Sequence, residues 1–248
     1  MLVGDIGEDA ALRLITRTLG SWRASVPPAP PPPAPPPGAG KFTRIPRGGS
    51  RQVNLCLSQV LPLSPLDQDY PAFVVMNHIL GGSSTSRLFL NLRIDKGYTY
   101  GSYARAATLT RCATWVASAE TRGEVAAAAL AEMRAEVARI REKAVPAAEL
   151  EAAKRHLAGV FAIRLASLEG LAGTLWKLEV DGLPPERQLS AYVERLEAVS
   201  IEDVRRVARR VFAPETMTAI AVGEARDLKL LNGAGSVASR PRAASARR

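Results

Sequence analysis

Histidine and cysteine are scarce in this chain, with two of each in 248 residues. His78 sits in "VVMNHILGG" and His156 in "AAKRHLAGV", and neither has a second histidine three or four positions on. No HExxH or HxxEH occurs, so neither arrangement of a zinc peptidase helix is encoded. A catalytic zinc takes about three protein ligands at one point, and two distant histidines do not supply them. Both are read as structural. Cys56 and Cys112 lie in apolar, strand-like segments without a CxxC, and are read as free buried thiols. There is no GxSxG for a serine nucleophile. The glycine-rich "GGSSTS" lacks the lysine of a phosphate loop and is read as a helix-to-helix turn capped by Ser83 or Ser84. Aromatic residues make up only 5% of the chain, so aliphatic side chains and alanine must fill the core. None is interleaved with the basic runs as a single-strand nucleic-acid binder requires, which argues against nucleic acid as a partner. No run of about 18 apolar residues predicts a membrane span.

What is abundant is apolar residues, 47%, and positive charge, +9 net. Four of those charges, Arg240, Arg242, Arg247 and Arg248, fall in a C-terminal stretch of Ala, Ser and Gly that reads as a disordered basic tail, 225–248. Helical runs such as "EDVRRVARR" carry much of the remainder and read as solvated faces. Residues 1–25 read as the start of a domain, the end of a buried strand in "MLVGDIG" followed by an amphipathic helix. The proline-rich 26–40 cannot be helix or sheet, because proline lacks the amide donor and fixes φ. It reads as an extended linker into a main domain, 41–224. Nothing in "MLVGDIGEDA" looks like an export signal. The compartment is unknown: cytoplasmic by default, periplasmic if the chain is a fragment or partner of a secreted enzyme.

Within 41–224 an alternating strand at "RQVNLCLSQVLPL" precedes two helices, the second over about Ser84 to Asp95. A pair of strands, "GYTYGSYARAA" and "CATWVASAET", leads into a block of helices, and "TMTAIAVGEA" closes the domain as a strand. Short strand connections and helices in blocks predict an α+β fold, an antiparallel or mixed sheet with helices packed on one face.

"GGSSTSRLFLNLRIDKGYTYG" places an arginine and a tyrosine where packing needs neither. Leu88, Phe89 and Leu92 form the buried stripe of the helix, and Arg93 lies one residue off it. Tyr98 and Tyr100 share one face of the strand that follows, with Ser102. A guanidinium beside a phenol grips a carbonyl or carboxylate, and the phenol can donate to a developing oxyanion. Neither activates water, so the pair fits a binding and stabilising role with the nucleophile supplied elsewhere. The plainer reading is a solvated helix end and an amphipathic strand face.

At these residues the sequence resembles the C-terminal domain of the insulinase-like, or pitrilysin-like, zinc peptidases. "LGGSSTSRLF", "SRLFLNLRIDKGYTYGSYA" and "EVARIREKAVPAAELEAAKRHLAGVF" carry the likeness, and "VGDI" resembles the strand closing the domain before it. Ile94 stands where many relatives carry an acidic residue. The resemblance implies two homologous domains facing each other across a closed chamber. One binds zinc through HxxEH and a downstream glutamate. The other lacks zinc ligands and supplies an arginine and a tyrosine to a peptide substrate. Arg93 and Tyr100 fall on those positions, with Tyr100 the catalytic candidate and Tyr98 a second substrate-binding candidate. The implied zinc belongs to a partner domain or chain, none being bound by this chain. The alternative on the same fold is a non-catalytic structural or assembly subunit.

Overall fold

The structure, a computed structural model, describes residues 1–23, 40–109 and 111–231. The expected linker lies outside these residues except for Gly40, and so does the stretch 232–248. Five strands form one sheet in the order β1-β5-β2-β4-β3, from β1 (Phe42–Pro46), β2 (Val53–Leu61), β3 (Thr99–Thr108), β4 (Ala113–Thr121) and β5 (Thr218–Gly223). All pairings are antiparallel except β1 with β5, so the sheet is mixed.

Strict alternation in β2 and β4 buries one face of the sheet. Val53, Leu55, Leu57 and Leu61 of β2 and Ala113, Trp115, Ala117 and Ala119 of β4 point the same way. Against them pack α2 (Tyr70–Gly81), α4 (Ala126–Glu142) and α8 (Ile201–Val211), through Phe73, Met76, Leu130, Met133, Val204 and Val207. Trp115 is fully buried at the centre: its ring meets Phe212 edge-on at 4.9 Å, and its indole N–H donates to Asn77 Oδ1 at 2.8 Å. α5 (Ala147–Leu165), α6 (Leu168–Val180) and α7 (Pro185–Glu197) add a lighter outer layer, in which α6 buries no residue. α8 opens on a capping box, Ser200 with Asp203. Arg206 and Arg210 then tie α8 to Asp69 at the start of α2. The α+β fold with helices on one face is the one expected.

Two local expectations are corrected, and one strand was not foreseen. Residues 1–7 form no strand among the described residues, and α1 (Glu8–Leu19) buries none of its residues, with Leu12, Ile15 and Leu19 exposed. The expected tail boundary at 225 falls too early. Residues Ala225–Lys229 form a short helix, α9, and Leu228 and Leu231 are buried in the core. β1 is a strand the sequence did not disclose: five mostly exposed residues, recruited by parallel pairing with a β5 lying more than 170 positions away.

Candidate functional site

The helix expected over 84–95 is a single α turn, α3 (Arg87–Phe89), that widens into a π-helical turn over Leu90–Asp95. Ser86, not Ser83 or Ser84, occupies its N-cap position, and its hydroxyl donates to the Ser83 carbonyl at 2.6 Å. Leu88, Phe89 and Leu92 are buried as expected. The wide turn sets Arg93 off the stripe and into solvent, and such turns recur at functional sites. Beneath it is a polar contact that the apolar pattern hides. Asn91 is buried and donates to Glu136 Oε1 at 2.6 Å and Glu132 Oε2 at 3.0 Å. Glu136 is 1% exposed on the inner stripe of α4, where the period predicts an apolar side chain. The only advance signal is a glutamate in phase with Met133, Val137 and Ile140.

Gly97, at φ +63°, turns the chain from this segment into β3, a conformation that glycine adopts without strain. The strand then departs from simple alternation. A register shift between Thr99 and Ser102 inserts a bulge, and the Thr99 hydroxyl donates to the Gly101 carbonyl at 2.9 Å while accepting from its N–H at 3.1 Å. Tyr98, Tyr100 and Ser102 therefore do not share a face. Tyr98 packs against the core, Ser102 is fully buried, and Tyr100 is 84% exposed. The Tyr98 N–H is tied to the Leu92 carbonyl at 2.8 Å.

Arg93 and Tyr100 are brought together, through the backbone. The Arg93 guanidinium donates to the Tyr100 carbonyl and lies over the Phe89 ring, 5.1 Å from its centroid. One end of the guanidinium is thus fixed, and further N–H donors remain for another group. Tyr100 borders a shallow cavity of about 500 Å³ on the sheet face that no described helix covers. Cys56, Tyr103, Ser118, Glu120 and Ile220 also line it. Cys56 is half-buried on this open face, not buried as expected, and burial still pushes its thiol above the ordinary range. Cys112 is buried and free.

His78 and His156, 78 positions apart, meet. Their rings stack at 4.6 Å between centroids, at the seam of α2 and α5 and away from the open sheet face. Among the described residues no three His, Cys, Asp or Glu side chains converge as a metal site requires. Among the same residues no single helix is long and apolar enough to cross a membrane.

The described residues thus form an α+β domain with an arginine and a tyrosine beside an open sheet face. Residues 1–157 match the family described as the peptidase M16 inactive domain, and the chain belongs to that family, the C-terminal non-zinc domain of the insulinase-like peptidases. It is 26% identical over 147 residues to the uncharacterized zinc protease YmxG of Bacillus subtilis, covering 59% of this chain and 36% of that protein. The crystal structure of a peptidase M16 inactive domain from Pseudomonas fluorescens superposes with a TM-score of 0.79 at 24% identity, covering 90% of this chain and 52% of that one. A protease from Helicobacter pylori gives 0.78 at 20%, covering 89% and 53%. The chain therefore spans about a third of the curated relative and about half of each of these structures.

Proposed function

We propose that this domain is the substrate-binding half of an insulinase-like metalloendopeptidase, acting with a homologous zinc-bearing HxxEH domain or subunit. The observation that carries the reading is the coupling of Arg93 to Tyr100 by a hydrogen bond, with the phenol left free in solvent beside an open sheet face. The partner would bind zinc and supply the activated water. Here Arg93 would hold a carbonyl or carboxylate of the peptide, and Tyr100 would donate its hydroxyl proton toward the oxygen on which charge develops. The guanidinium is already anchored and the bulge fixes the backbone of Tyr100, so both donors would be oriented before substrate arrives. Tyr98, packed on the core, would support the turn rather than touch substrate.

The division of labour is testable by metal analysis. The purified chain alone is expected to hold well under one zinc per molecule after dialysis against a weak chelator. One tightly bound zinc per chain would overturn the reading, because a tight structural or catalytic site needs about three or four protein ligands.

A further inference from the structure

We propose that the seam between α2 and α5 is an acid-sensitive clamp. His78, buried on α2 and stacked on the exposed His156 of α5, holds the seam closed while its ring is uncharged. Proton uptake by His78 opens the seam and frees the tether that α5 places on the segment carrying Arg93. The proposal concerns regulation, and it stands or falls on the isolated chain whether or not the substrate-binding reading holds.

The geometry is that of a strained compromise for a charged ring. His78 is 8% exposed, its ring is 4.6 Å from that of His156 at 27° between planes, and Gly82 leaves no Cβ where His78 Nδ1 lies against the backbone. A charged ring in this position loses most of its water. Burial first, and His156 second, push His78 down from the ordinary histidine value to about 4. A cavity of about 340 Å³, lined also by Ser83, Ser86 and Glu149, lies beside the two rings.

Among the described residues no neighbouring charge offsets that cost. On α5, Glu149 is engaged by Arg87, Lys154 by Glu151 and the Glu197 carbonyl, and Arg155 points to solvent. On α8, Arg206 and Arg210 face Asp69 at the far end of α2. On α4, Glu136 faces Asn91 and Arg139, and on α7, Arg195 faces Gln188. Arg105 of β3 alternates with the buried Ala104 and stands on the open face of the sheet.

The elements that would move are lightly held. α5 buries only Leu150, Ala153 and Lys154 in 19 residues, and α6 buries none. The link to the candidate site is direct. Two turns before His156, Glu149 accepts from Arg87 Nε at 2.8 Å and Nη2 at 2.6 Å, and Arg87 opens the segment that becomes the π-helical turn of Arg93.

The sign follows from linkage. A histidine held neutral in the closed state and titrating normally in the open state makes opening easier as pH falls below the ordinary value. With 6.5 for the open state and about 4 for the closed one, opening rises about thirtyfold between about pH 7.5 and pH 5. That window lies above the ordinary titration of Asp and Glu, and Asp203, held at about 2 chiefly by Arg206, stays ionised throughout.

Hydrogen exchange resolved by segment, corrected for intrinsic rates, tests this on the isolated chain at the two pH values. Wild type is expected to lose protection in α5–α7 and in 90–98 by about thirtyfold relative to β2 and β4. His78→Phe, which keeps an aromatic ring without a titrating group, is expected to hold the change below about threefold. His156→Gln, a second variant should the first fold poorly, is expected to shrink it as well. A wild-type change below about threefold, or an equal change in both variants, would overturn the clamp. Loss confined to α5–α7 with 90–98 unchanged would overturn its link to the Arg93 segment.

Discussion

Tyr100→Phe is expected to lower kcat for peptide hydrolysis by about 10²–10³ in the complex with a zinc-bearing partner, with little change in KM. The phenol is 84% exposed, so removing its oxygen leaves no buried group unpaired and the fold should be untouched. Arg93→Ala is expected to act mainly on KM, because a guanidinium that grips substrate in the ground state contributes uniform binding. It also removes the bond to the Tyr100 carbonyl, so a smaller loss in kcat should accompany it. Tyr98→Phe is the control, since Tyr98 packs against the core behind the turn. Steady-state kinetics on the three variants decides the assignment. Loss of kcat in Tyr98→Phe with none in Tyr100→Phe would reverse the two tyrosines. Wild-type kinetics in all three would leave the structural-subunit reading in place.

The largest expected loss of stability is at Trp115. Trp115→Ala is expected to cost about 3–5 kcal/mol, the usual range for emptying a large buried aromatic site. The ring is fully buried and meets Phe212 edge-on, and its loss leaves Asn77 Oδ1 without its indole donor. Urea denaturation should show a markedly lower midpoint with an unchanged slope. Trp115→Phe should recover part of the loss, because it restores the edge contact without the hydrogen bond.

The parts of the fold that were legible in the sequence are those with a strong local period. β2 and β4 alternate over nine residues each, and both appear where they were read. The misreadings share one cause: the deciding partner is far away in the chain. β1 is held by β5, α9 is held by burial of Leu228 and Leu231, and His78 meets His156 only once α5 folds back on α2. At the candidate site the residues were legible and their orientation was not. Arg93 and Tyr100 stood out because packing did not require them. The π-helical turn and the bulge that separate Tyr100 from Tyr98 arise from Gly97 and the Thr99 hydroxyl, which a period of 3.6 or 2 does not encode. Asn91 and Glu136 were hidden for a related reason, a polar pair placed inside an apolar stripe.

The most direct test of the account is reconstitution of peptide cleavage. A fluorogenic peptide would be offered to this chain alone, to the HxxEH-bearing partner alone, and to an equimolar mixture of the two. The account predicts cleavage by the mixture only, abolished by a zinc chelator and restored by added zinc. Cleavage by this chain alone, or a mixture no faster than the partner by itself, would contradict it.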